Sequence, residues 1–250
     1  MVWHLPSGGE EMSRRQDLDR FYELMHELEA RVGGARLLSD PHAGRDLPRR
    51  GVYFFFEPGE FREDGRTPRV VRVGTHAVAG GTKTTLWNRL SQHRGSLRGG
   101  GGNHRGSIFR WHVGAALLNR GLADAAAGVQ WRNRHRPPET ELWEAERRIE
   151  QMVSQYIQSM PFLWVAVEDP PGKNSDRKVI EANAIGLLSN RGRPPVDPPS
   201  ADWLGHWSDH PAVRESGLWN VEHVDEGYDP AFLDLLERCI KATSAGRWQE

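Results

Sequence analysis

Gly51-Val52-Tyr53-Phe54-Phe55-Phe56-Glu57-Pro58-Gly59-Glu60 is the stretch whose reading decides the fold. Val52 to Phe56 is an unbroken apolar run of β-favouring residues, closed by the Pro58-Gly59 pair, and such a run reads as a strand. Arg69-Val70-Val71-Arg72-Val73-Gly74 reads as a second strand, and Phe61 to Pro68 as the loop that folds the two into a hairpin.

Upstream of the hairpin, Leu18, Phe21, Leu24, Met25, Leu28 and Val32 recur at helical spacing from Ser13 until Gly33-Gly34 ends the run. Downstream, Thr82 or Thr84 can cap a short helix through TLWNRLSQHR. Gly95 to Asn103, rich in glycine, reads as a mobile loop. Ser107 starts a helix that ends at Gly121, and Pro137-Pro138-Glu139 opens a longer one. Phe162 to Val167 is the third strand, and Ser175 caps a helix through DRKVIEANAIGLLSN. A Pro- and Trp-rich segment follows Asn190, then a final helix in PAFLDLLERCIKA. The order strand, strand, helix, helix, helix, strand, helix predicts an α+β protein. Its architecture is an α/β sandwich with a small mixed or antiparallel three-stranded sheet flanked by helices. Residues 1–45 form a helical N-terminal extension, 46–192 the central domain, and 193–250 an acidic extension packed on it. In that last segment Trp203, Trp207 and Trp219 are expected to pin loops to the core rather than to stack on bases.

Charge is unevenly spread. The net charge is -1, yet Arg66 to Arg136 carries 13 Lys/Arg against one acid, while Asp197 to Glu250 carries 11 Asp/Glu against four Lys/Arg. A cationic midsection attracts polyanions; alternatively, those arginines pair with the acidic tail inside one fold. The lone cysteine, Cys239, cannot close an internal disulfide and reads as a small core residue of a cytoplasmic protein. No apolar run approaches the roughly 18 residues of a membrane span, and the first residues show no signal-peptide core. Gly80-Gly81-Thr82-Lys83 lacks the spacing of a phosphate-binding P-loop, and no His or Cys pair has zinc-finger spacing.

Four features stand in order along the chain: Gly51-Val52-Tyr53, Arg72-Val73-Gly74, Arg89 with His93 one helical turn later, and Glu181 with Asn190 downstream. Phosphodiester hydrolysis needs an activated water, a charge clamp on the phosphate and help for the leaving oxygen. Glu181 is a hard oxygen ligand suited to one Mg²⁺, with Mn²⁺ as a substitute. Arg89 offers a planar fork that fits phosphate oxygens. His93 can shuttle a proton or hold the phosphate. Asn103, His104 and Arg105 precede a helix start whose N–H groups can bind the backbone of a nucleic acid. Each residue alone has a plainer reading: Tyr53 a strand aromatic, Arg89 a solvated helix cation, His93 a helix C-terminal residue, Glu181 a first-turn acid.

Taken together, these residues resemble the GIY-YIG nuclease superfamily. Gly51-Val52-Tyr53 matches its first signature with Val for Ile, and Arg72-Val73-Gly74 stands where the second belongs, with Arg72 in place of tyrosine. Arg89, His93 and Glu181 match the helix arginine, the histidine and the metal-binding glutamate, and Asn190 matches an asparagine that follows it. The resemblance implies a Mg²⁺-dependent endonuclease acting on DNA, with Tyr53 as general base, Glu181 as metal ligand, and Arg72, Arg89 and His93 completing the catalytic set. Asn103, His104, Arg105 and Asn190 are the expected substrate contacts. Arg72 is expected to meet the phosphate, and its presence leaves open a catalytically inactive nucleic-acid-binding module of the same fold. Cutting both strands with one such site favours a homodimer or sequential nicking.

Overall fold

The computed structural model describes residues 8–76, 83–123, 128–132, 143–170, 172 and 175–244. Helix α1 (Gly8–Val32) leads into a two-residue strand β1 (Arg36–Leu37), then β2 (Gly51–Phe61) and β3 (Pro68–Gly74). Helices α2 (Leu86–Arg94), α3 (Ile108–Asn119), α4 (Gly128–Arg132) and α5 (Trp143–Gln158) follow, then β4 (Pro161–Ala166) and α6 (Asp176–Leu188). Helices α7 (Pro211–Ser216) and α8 (Phe232–Ala242) complete the chain as described. The sheet is antiparallel, in the order β1-β4-β2-β3. It has four strands where the sequence predicts three, because a two-residue strand such as β1 carries no periodicity to read.

β2 is central, and both of its faces are buried: Tyr53 and Phe55 lie on one, Val52 and Phe54 on the other. That explains its unbroken apolar run, since a strand covered on both sides need not alternate. The strand does not stop at Pro58-Gly59. It runs to Phe61 through shifts in its register with β3, while β4 pairs only as far as Phe55. Pro58 therefore lies beyond the reach of that neighbour, where a missing N–H breaks no ladder bond.

Helices cover both faces. On one, Phe21 of α1 meets Phe54 edge-on at 5.9 Å, and α1, α6 and α8 contact one another. On the other, Phe109 of α3 meets Phe55 at 5.7 Å, and α2, α3 and α5 pack together. Two of the expected caps are observed, Ser107 on α3 and Ser175 on α6. On α2 the cap is Thr85 rather than Thr84, in a capping box closed by Asn88; Thr82 lies outside the described residues. So do Gly80, Gly81 and the Pro137-Pro138-Glu139 opening; α5 is described from Trp143.

The free edge of β3 is covered by the C-terminal segment. Trp219 N–H donates to Val71 O at 2.8 Å, and the Asn220 amide both accepts from Val73 N–H and donates to Val73 O. Covering an edge in this way removes a template for unwanted strand pairing. The same segment is clasped to β2 by a buried carboxylate. Glu57 Oε2 accepts the indole N–H groups of Trp203 and Trp219 at 3.1 and 3.0 Å, and Oε1 accepts the Tyr156 hydroxyl. Trp203 and Trp219 are thus fixed in the core, and Trp207 is half-buried beneath Arg120.

Part of the cationic midsection is consumed inside the fold, and not mainly by the acidic tail. Arg69 pairs with Glu60, Arg105 with Glu146, and the fully buried Arg110 with Glu150; among the described residues only Arg132 reaches a tail acid, Asp209. The glycine loop lies directly on this network. A side chain on Gly102 would come within 2.3 Å of the Arg110 guanidinium carbon, while Leu97 to Gly100 are exposed. Cys239 is half-buried against the core.

Burial pushes the Glu57 carboxyl above its ordinary range. The folded state therefore holds that proton more tightly than the unfolded chain does. The contribution is full below the unfolded value of about 4.3 and is lost as pH rises through the raised folded value. Glu57→Gln keeps an oxygen for the indoles and cannot ionise. Its stability relative to the parent is expected to improve as pH rises from the unfolded value through the raised folded one, in denaturant titrations. A parallel pH dependence in the two proteins would show that Glu57 is not the titrating group.

Candidate functional site

The two signature segments meet because the hairpin brings them into register. Tyr53 is paired with Gly74 across β2 and β3. The Tyr53 ring lies over the Gly74 backbone so closely that a Cβ there would sit 2.2 Å from the phenolic oxygen. Gly51 is equally constrained: its Cβ would meet Val165 O at 2.3 Å. The glycine of each segment is thus a close-approach position rather than a turn.

Behind the hairpin, the Tyr53 hydroxyl is 2.8 Å from His93 Nε2, and His93 Nδ1 is 2.8 Å from Ser107 Oγ. Tyr53, His93 and Ser107 are all 0 % exposed. Arg72 joins them from β3, where it shares a face with Phe55. Its guanidinium donates to Trp219 O at 2.8 Å and lies 4.7 Å from the Phe109 ring centroid. Burial lowers the Arg72 pKa, and the Tyr53 hydroxyl works against that shift. Arg72 is therefore turned inward rather than presented to a phosphate. For His93, burial first, then the charges of Arg89, Arg72 and Arg110, hold the imidazole well below its usual range, so it is neutral at physiological pH.

Glu181 reaches the same end of the sheet from α6. Its Oε1 accepts Thr75 N–H at 3.0 Å, while the Thr75 hydroxyl donates to Gly51 O at 2.8 Å. Thr75, directly after Gly74, so ties both strands to the glutamate. Burial raises the Glu181 carboxyl, opposed by that N–H and by the charge of Arg72. Glu181 remains partly exposed and keeps its second oxygen for another partner. A cleft of about 280 Å³ opens beside it, lined by Thr75, His76, Thr84, Asn88, Arg89 and Gln92. Arg89 stands in this cleft with its NH1 3.2 Å from Gln92 Oε1, close enough to Arg72 and His93 to act on both. His76 donates Nε2–H to Arg49 O at 3.1 Å and is pushed down to about 4, chiefly by burial and then by Arg177.

Tyr53, Arg72, Arg89, His93 and Glu181 are thus gathered at one end of the sheet, in two layers. Arg89 lines the cleft, and Glu181 is tied to its lining through Thr75; Tyr53, His93 and Arg72 are buried. The other expected contacts stand apart and are engaged internally. Asn103 accepts from Arg105 N–H at 3.0 Å. His104 is buried, bonded to Glu150 and stacked on Trp131 with centroids 3.9 Å apart. Arg105 makes a two-pronged pair with Glu146. Asn190 lies beyond the end of α6, where its Oδ1 accepts from Arg14 and from Val196 N–H, each at 2.9 Å.

Sequence reasoning missed Thr75, Ser107 as a partner of His93, and Trp219 as the anchor of Arg72. The position of Thr75 next to Gly74 was the available signal. Ser107 was legible only as a helix start, and nothing local links residue 219 to residue 72.

One family model, described as GIY-YIG domain, matches residues 12–246. No curated protein and no solved structure matches the chain.

Gly74→Ala is expected to displace the Tyr53 ring and to cost about 1–3 kcal/mol of stability, the usual range for an overpacked site. Urea unfolding measures the loss, and a variant as stable as the parent would mean that the ring does not rest on this glycine.

Proposed function

The chain belongs to the GIY-YIG domain family, and from that premise we propose that it is a divalent-metal-dependent endonuclease that hydrolyses phosphodiester bonds in DNA. One observation carries the reading: Thr75 bridges the strand that holds Tyr53 to the carboxylate of Glu181, beside a cleft that contains Arg89.

Glu181 fits one Mg²⁺ or Mn²⁺. It offers a hard oxygen next to an open cleft, and among the described residues no cluster of three or more His, Cys, Asp or Glu surrounds it to strip the ion of water. When bound, the cation supplies positive charge to the phosphate and lowers the pKa of a bound water. Arg89 clamps the scissile phosphate with its planar fork and meets the charge that builds on it in the transition state. Tyr53 takes the proton of the attacking water as it passes its own to His93 Nε2, 2.8 Å away. His93 is suited to receive that proton because it is neutral beforehand. Arg72, fixed by Trp219 O, keeps a positive charge near the Tyr53 hydroxyl throughout.

A specific observation also favours a second reading. Tyr53 is sealed from solvent, so a water reaches its hydroxyl only if substrate binding opens the floor of the cleft. A chain that never opens is a nucleic-acid-binding module without catalysis. Plasmid DNA with Mg²⁺ and with Mn²⁺, across pH, separates the two: salt-steep binding with no nicking in any condition supports the module.

Glu181→Ala is expected to lower cleavage by at least roughly 10²–10³-fold, the scale of losing one transition-state charge partner, while DNA binding changes little. Retention of the parental rate would remove Glu181 from the metal site. Tyr53→Phe deletes one oxygen and is expected to reduce kcat by about 10²–10⁴-fold with KM nearly unchanged. Normal cutting by that variant, with its folding checked by circular dichroism, would assign the base to another group.

A further inference from the structure

We propose that His76 belongs to the cation site as an acceptor for its water: the Nδ1 lone pair takes a hydrogen bond from a water molecule carried by the divalent ion that Glu181 holds. The inference deepens the nuclease reading and rests on it for the identity of the ion, but binding of that ion can be measured without DNA and without cleavage.

His76 is 6 % exposed, and two contacts fix it. Its Nε2 lies 3.1 Å from Arg49 O, and its own carbonyl accepts from the Arg177 guanidinium at 2.7 Å. A carbonyl oxygen can only accept, so the ring carries a proton on Nε2. Burial, then the charge of Arg177, keep the imidazole neutral at physiological pH, which leaves a lone pair on Nδ1. No described residue gives that lone pair a donor. A buried acceptor without a donor has lost its hydration and gained nothing in return, so it calls for a partner from outside the chain.

The His76 ring lines the cleft beside Thr75 and Arg89. The amide oxygens along the same cleft are already engaged. Asn88 Oδ1 accepts from the Thr85 N–H and hydroxyl, and Gln92 Oε1 accepts from Arg89. What enters the cleft must therefore bring a donor to His76 Nδ1. A phosphodiester cannot, since its oxygens only accept, and Arg89 is there to serve them. The sugar of a continuous DNA strand has no hydroxyl to offer. A water on a divalent cation has two O–H groups polarised by the ion, and Mg²⁺ keeps several waters while bound through one or two carboxylates. Thr75 connects the two residues: its N–H holds Glu181 Oε1, which leaves the second oxygen for the ion, and His76 is the next residue along the chain. The amino groups of bases are the other donors that a DNA strand carries, and an experiment without DNA separates them from water.

The test is Mg²⁺ binding by the intact chain in the absence of DNA. Calorimetry gives the affinity, and long-range ¹H–¹⁵N correlations follow the histidine rings, with the His76 signals assigned by their loss in His76→Asn. The parent is expected to carry its proton on Nε2 and to show the Nδ1 signal moving as Mg²⁺ saturates. His76→Phe removes the acceptor and is expected to weaken Mg²⁺ binding about 10–100-fold, the scale of losing a group that supports a metal from outside its ligand set. His76→Asn places an amide oxygen close to the position of Nδ1 and is expected to recover most of that affinity. A parent with its proton on Nδ1, or with an Nδ1 signal that stays put at Mg²⁺ saturation, overturns the proposal even if His76→Phe does not fold. Loss of Mg²⁺ binding in Glu181→Ala with parental affinity in a folded His76→Phe overturns this proposal alone and leaves the nuclease reading intact. A parent that binds Mg²⁺ as expected yet cuts no DNA supports the role of His76 and counts against the nuclease alone.

Discussion

The contact between the Tyr53 ring and the backbone of Gly74 is the constraint on which the site depends. It sets the separation of β2 and β3 at their ends, and the register that makes it puts Arg72 opposite Phe55 on the same face. From there the hydroxyl meets His93, with the charge of Arg72 on the same face. One residue later, Thr75 turns its N–H to Glu181 and its hydroxyl back to Gly51. A side chain larger than hydrogen at position 74 would separate these partners, since protein interiors transmit such displacements rather than absorb them.

Around that contact the fold places a large amount of buried charge. Arg110 with Glu150, Arg69 with Glu60 and Arg177 with Asp169 are ion pairs whose arginines are almost wholly removed from solvent. Pairs like these add little net stability, because desolvation offsets most of the attraction, but deleting one partner is costly. What they provide here is placement. Arg110 holds His93 O, the Glu150 backbone and the Ser154 hydroxyl, and so locks the helix carrying His93 to α5. The basic midsection is thus as much scaffold as surface. Arg66, Lys83 and Arg98 remain exposed for long-range attraction of a polyanion.

Much of the frame was legible because its signals are local. The run from Val52 to Phe56, the helical spacing in α1, and the serines that open α3 and α6 each announce themselves within one element. The five gathered residues were legible through their order along the chain. What escaped depends on distant partners. Arg72 reads as a phosphate contact until Trp219 O, 147 positions away, gives it a reason to turn inward. Asn190 reads as a site residue until Arg14 claims its side-chain oxygen. Pro58-Gly59 reads as a stop until it is clear that β4 does not extend far enough to need the proline's missing N–H. The tryptophans of the last segment gained a defined purpose only through Glu57, whose burial no local pattern reveals.

The segment laid along the edge of β3 has a consequence for the life of the chain on the ribosome. Residues 219 and 220 supply the carbonyl that steadies Arg72 and the amide that closes the sheet beside Val73. A growing polypeptide can form the hairpin early, since its two strands are neighbours in sequence, but the Trp219 carbonyl that Arg72 grips is made 147 positions later. Contacts that close such long loops are formed late and slowly. A chain that has not yet reached residue 219 therefore carries every residue of the candidate centre from Tyr53 to Glu181 and still lacks the carbonyl that braces Arg72.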